Sequence, residues 1–168
     1  MANRVRPSTR WGITAAPEFN VAVFALLLNY PWELLQVPFF LGMAGAPHWD
    51  AILFCSRAAL GDAAIALVAF TLVAVPARSR RWILRPTPPR ILGFVATGLL
   101  ITLAFEWIAT DVLDRWQYAP AMPRLPVVGT GVLPFIQWIL LPPLVLWFAR
   151  RQVLGAERAA RLSGASSS

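Results

Sequence analysis

Four long runs of apolar residues, at about 18–41, 51–76, 90–110 and 127–149, alternate with short polar segments along this chain. Each run is near or above the roughly 20 residues that a helix needs to cross about 30 Å of hydrocarbon. The pattern predicts an all-α membrane protein, a bundle of four transmembrane helices. Residues 1–17 read as a basic leader, 18–149 as the transmembrane domain and 150–168 as a basic, disordered tail. The tail ends in Ser-Gly-Ala-Ser-Ser-Ser, which has no side chains to bury.

Composition leaves only a membrane class. The 168 residues are 58% hydrophobic and 14% charged, and the mean hydropathy is +0.60, well outside soluble averages. The net charge of +7 raises the question of nucleic acid, but the placement of the basic residues answers it. All fifteen are arginine. Arg4, Arg6 and Arg10 precede the first run. Arg78, Arg80, Arg81, Arg85 and Arg90 join the second to the third, and Arg150, Arg151, Arg158 and Arg161 follow the fourth. Only Arg115 and Arg124 fall on the other side, so the charges mark topology rather than a nucleic-acid stripe, and both termini are expected in the cytoplasm of a multi-pass cell-membrane protein. The first run follows a basic leader, as a signal peptide does. It is too long for one, contains Asn29 and Glu33, and lacks a small-residue cleavage site, so it reads as a mature helix.

Tryptophans fall at the depths of an aromatic belt: Trp11, Trp82 and Trp147 at the cytoplasmic boundary, Trp49, Trp107, Trp116 and Trp138 at the opposite one. Trp32, beside Glu33, is the exception. Pro31, Pro38, Pro134, Pro142 and Pro143 interrupt the runs, and each frees a carbonyl that needs another partner.

Against this apolar background a few polar residues stand out. Asn29, Glu33 and Gln36 recur at i, i+4 and i+7 and so share one face of the first helix. The second helix carries Arg57 and Asp62, about 140° apart around its axis, so Arg57 is expected to reach Glu33 or Glu106 on another helix rather than Asp62. The third carries Thr102, Glu106 and Thr110 in a stripe with Asp111 at its exit, and the fourth enters through Gly129-Thr130-Gly131 to Gln137 and Trp138. All converge on a layer in the extracytoplasmic half. A charge there costs roughly 2.5–3.5 kcal/mol on insertion scales. Three ionised acids beside one arginine would leave two negative charges uncompensated, so at least one carboxyl group is expected to be neutral and able to donate a proton. A network that only fixes helix register is the competing account of the same residues.

Glu33, Asp62 and Glu106 are the catalytic candidates, with Asn29, Trp32, Gln36, Arg57, Thr110, Asp111, Trp116, Tyr118, Gln137 and Trp138 as substrate-binding or supporting residues. His48 and Asp50 form an H-x-D pair, but one histidine without clustered ligands does not make a metal set. No metal or cofactor is expected, and no phosphate loop or nucleophile elbow is present.

The segment Asn29-x-x-Trp32-Glu33, with an acid in a later helix, resembles integral-membrane terpene cyclases. Trp116-x-Tyr118 before a glycine- and proline-containing helix is similar to lycopene-cyclase-type domains. Those families have more helices, and Gln137-Trp138 stands near the place of their paired glutamates. The resemblance implies acid catalysis on an isoprenoid or lipid, with Glu33, Asp62 and Glu106 as acids. A proton- or cation-coupled small transporter subunit and a noncatalytic membrane assembly protein are the alternatives. Expected partners are membrane lipids and an apolar small-molecule substrate, with no nucleic acid; a homo-oligomer is compatible with each reading. The arginine bias yields a first prediction: tags on the two termini are both accessible only from the cytoplasmic side. Mixed accessibility would instead indicate dual topology.

Overall fold

In a computed structural model the described residues are 12–165. Arg4, Arg6, Arg10, Trp11 and the last three serines lie outside them. Four helices, α1 (Pro17–Gln36), α2 (His48–Ala74), α3 (Pro88–Trp107) and α4 (Val132–Ala165), make up the fold. All four are long and apolar enough to cross a membrane. Each of α1 and α3 packs on both α2 and α4, so the helices follow one another around the bundle with α1 and α3 on its diagonal.

Local chemistry sets the helix ends. Pro17 and Pro88 occupy first-turn positions, where the missing N–H costs nothing and the fixed φ suits a helix. The Asn20 amide donates to the carbonyls of Thr14 and Ala16, both at 2.8 Å, and fastens the preceding turn to α1. Pro38 limits the far end of α1, where a short 3-10 turn, Val37–Phe39, replaces further α-helix. The apolar run to residue 41 therefore overstates the helix. Beyond α3 the chain widens into a π-helical turn, Ile108–Val112.

The fourth helix departs most from the sequence reading. Residues 127–131 belong to a folded connection rather than to a span: Val132 donates its N–H to Pro123 at 2.8 Å and Leu125 to Thr130 at 2.9 Å. The helix then continues to Ala165, which corrects the expectation of a disordered tail from 150 onward as far as residue 165. Arg-rich sequence does not prevent order here, because Val153 is fully buried and Glu157 is buried in ion pairs with Arg81 and, at 3.7 Å, Arg161. Thirty-four residues at about 1.5 Å each make a rod of roughly 50 Å.

Small residues let the helices approach. Ala59, Ala63, Ala66 and Ala69 line the buried face of α2, the substitution of small for large that membrane helices use in place of a hydrophobic drive. Two tryptophans expected at the belt are core residues instead. Trp82 stacks on Phe70 at 5.4 Å and donates to its carbonyl at 3.3 Å. Trp138 is 2% exposed and its ring packs against Gly98 of α3, where a Cβ would come within 1.9 Å of it. Trp49, Trp107 and Trp147 remain on the outside, as the belt reading requires.

The connections after α1 and α3 meet over one end of the bundle. Phe40 and Tyr118 form an antiparallel bridge, with Leu41 N–H to the Gln117 carbonyl at 2.8 Å and Ala119 N–H to the Phe39 carbonyl at 2.9 Å. Phe40, Tyr118 and Met122, backed by Phe54 and Trp116, form a second small core within this cap. At the other end Glu18 pairs with Arg80, so ions rather than backbone lace that side.

Gly98→Ala is expected to lower stability by about 1–3 kcal/mol, the usual cost of overpacking, whereas Gly61→Ala, with nothing within 4 Å of its added Cβ, is neutral or stabilising through helix propensity. Thermal unfolding in detergent compares the two; equal midpoints would refute the contact between α3 and the Trp138 ring.

Candidate functional site

Three helices contribute to a buried polar cluster. Asn29, Glu33 and Gln36 all point inward from α1 and are almost fully buried. Asp62 projects from the alanine-lined face of α2 and is half-buried. Gln137 comes from the first turns of α4, 2% exposed. Its amide nitrogen lies 2.7 Å from Asn29 Oδ1, 3.0 Å from Glu33 Oε1 and 2.9 Å from Asp62 Oδ2. The other oxygen of Glu33 accepts from the Gln36 amide at 2.7 Å, and the Asn29 amide donates to the Ala25 carbonyl at 2.8 Å.

Donor counting gives this geometry its chemical meaning. An amide NH₂ has two protons, and here three oxygens surround it. Two of those oxygens belong to carboxyl groups that share the nitrogen, so their oxygens are less than about 6 Å apart. At that distance, in a medium of low dielectric, two bare negative charges repel strongly. One added proton on Glu33 or Asp62 removes the repulsion and supplies the third donor. The cluster can therefore accommodate one proton between the two carboxyl groups.

Several neighbours carry unused hydrogen-bonding capacity. The Gln36 carbonyl oxygen, the Trp32 N–H and the Thr102 hydroxyl are buried without a partner among the described residues, and the Trp138 indole N–H lies close to Asp62. A cavity of about 10 Å³ beside Asn29 and Trp138 is close to the least volume that admits one water molecule. Pro142, on its wall, leaves the Trp138 carbonyl without a helical donor.

Glu106 forms a second centre under the cap. Its Oε2 accepts from the Tyr118 hydroxyl and from the Trp116 indole, the latter at 3.5 Å. Burial and the facing carboxylate push the Tyr118 phenol above its ordinary pKa, which keeps it a neutral donor. Arg124 lies over the same ring at 5.1 Å. Glu106 is close enough to Glu33 for their charges to interact. Its Oε1 has no hydrogen bond among the described residues.

Arg57 does not join either group. It lies exposed on the face of α2 turned away from the core, and no ion pair links it to Glu33 or Glu106. The predicted interhelical pair is therefore not made: the same 140° that separates Arg57 from Asp62 directs it outward once Asp62 faces in. Thr110 donates to the Glu106 carbonyl at 2.8 Å and approaches Asp111 at 2.6 Å, and Asp111 itself is exposed. The arginine over Tyr118 and the glycine beneath Trp138 were not read from the sequence as site components. An isolated glycine within an apolar helix was the available signal for the second. Among the described residues no group of three or more His, Cys, Asp or Glu side chains is placed to hold a metal.

No known protein family, characterised protein or solved structure matches the chain. The likeness to terpene cyclases stands on the short motifs alone.

Gln137→Leu removes the shared donor and keeps the bulk. Chemical unfolding in mild detergent should register a loss of about 1–3 kcal/mol, the cost of stranding a buried polar partner; unchanged stability would mean that the amide does not hold α1, α2 and α4 together.

Proposed function

We propose that this chain is a multi-pass membrane protein with both termini in the cytoplasm, and that it is a membrane-embedded acid–base enzyme acting on an apolar substrate of the isoprenoid or lipid class. The observation that carries this reading is the single Gln137 amide between Asn29, Glu33 and Asp62. It supports a proton held between two carboxyl groups in a low-dielectric setting, the condition under which a carboxylic acid becomes an effective donor to carbon.

Roles follow from exposure. Asp62, half-buried, is the acid that meets the substrate, while Glu33, 4% exposed, is the proton's reservoir. Glu106 has one oxygen fixed by Tyr118 and Trp116 and one unbonded. The unbonded oxygen serves as the base or as the counter-charge to a carbocation. The proton adds to one alkene carbon and leaves the neighbouring carbon electron-deficient, loss of a different proton to a carboxylate restores the double bond, and that proton passes back through the carboxyl groups to regenerate the acid. Atoms and charge balance without a co-reactant, so the reaction class is isomerisation or cyclisation. Trp116, half-buried beside Glu106, can shield the cation with its ring face.

The test is solvent-deuterium transfer. Purified protein in nanodiscs is incubated in D₂O with an isoprenoid and lipid extract, and products are analysed by mass spectrometry. The wild type should place deuterium on carbon, and Glu33→Gln and Asp62→Asn should lower incorporation by at least about 100-fold, the lower range for general acid catalysis, while still folding. Absence of carbon-bound deuterium with the wild type would overturn the enzymatic reading. Proton uptake by proteoliposomes that is lost in Glu33→Gln would instead assign the same proton to transport.

A further inference from the structure

A groove of about 760 Å³ opens at the opposite end of the bundle from the cap, between the start of α1 and the end of α2. Its volume falls within the range of small-ligand sites. One wall is apolar, with Ile13 66% and Val75 69% exposed. The other carries Arg78, Arg80 and Arg81. This places a basic surface directly beside an apolar one at the level where two candidate spans, beginning at Pro17 and ending at Ala74, meet the membrane boundary.

The three arginines are not equivalent. Arg80 is paired with Glu18, and Arg81 with Glu157. Arg78 is exposed, forms no ion pair with any described residue, and sits at φ +47° in the left-handed region. The groove thus holds an uncompensated positive charge on a residue whose backbone is strained for its type. One further group lines the groove. Glu18, in the first turn of α1, keeps its Oε2 buried with no hydrogen-bond partner among the described residues, an acceptor suited to a hydroxyl rather than to an anion.

We infer that this groove binds one anionic phospholipid, with its phosphate against Arg78, a headgroup hydroxyl toward Glu18, and an acyl chain along Ile13 and Val75. Charge complementarity selects an anionic headgroup, and the adjoining apolar wall selects a lipid rather than free phosphate. The site is independent of the carboxyl cluster, so it stands or falls separately from the enzymatic reading.

The test uses the full chain in nanodiscs of phosphatidylcholine doped with phosphatidylglycerol, with retained lipid counted by native mass spectrometry. Arg78→Gly removes the charge and relieves the left-handed backbone, so it is not expected to disturb folding. It should weaken phosphatidylglycerol retention about fivefold, the worth of one basic residue at an anionic surface. Arg85→Gln, on the same connection but outside the groove, serves as the control for diffuse attraction and should leave retention unchanged. Equal losses in both variants, no loss in Arg78→Gly, or equal retention of phosphatidylethanolamine would overturn the proposal. Competition by inorganic phosphate at millimolar concentration would also overturn it, by making the ligand a free anion.

Discussion

The bundle is organised around one amide group. Gln137 brings its nitrogen within 3.0 Å of oxygens from two other helices, in the buried interior of four helices long and apolar enough to cross a membrane. In such a medium a polar side chain is held by its partners or not at all. The approach of α1, α2 and α4 to one another is therefore not a loose consequence of apolar contact. Alanines along α2 let the backbones come close, and the amide then determines the register at which they stop. Trp138, the next residue along α4, extends this control to α3 through its contact with Gly98.

The same constraint makes the site chemically unusual. A network whose donors matched its acceptors would be inert glue. Here three oxygens face two amide protons, and the Gln36 carbonyl oxygen beside them is unpartnered among the described residues. An arrangement of this kind has more than one satisfactory proton placement.

Much of this was legible because helical periodicity is a strong signal in an apolar background. The i, i+4, i+7 spacing of Asn29, Glu33 and Gln36 put them on one face, and all three are buried. Asp62 and Gln137 were assigned to the same depth by counting residues from the span ends, and their hydrogen bonds agree. Counting could not determine direction across the bundle. The contact of Asp62 with Gln137, and the outward direction of Arg57, depend on how each helix is rotated, which α2 sets through its alanines. Tryptophan depth was legible only where the ring faces out. Trp82 and Trp138 have the residue type of a belt but find aromatic and glycine partners inside. The extent of α4 was hidden for a different reason: its last turns are basic and weakly apolar, and their order comes from tertiary partners, Val153 in the core and Glu157 with Arg81.

The two ends of the bundle are joined by different kinds of bond. Over the cap, Phe40 and Tyr118 are linked through main-chain hydrogen bonds, which tie together the exits of α1 and α3, the diagonal pair. At the opposite end the ties are between Glu18 and Arg80 and between Arg81 and Glu157. Ionic strength screens exposed charges over about 10 Å at 0.1 M but leaves backbone hydrogen bonds largely unaffected. The exposed Glu18–Arg80 tie is accordingly the one whose grip follows the salt around it, while the cap and the pair that Arg81 makes with buried Glu157 keep theirs.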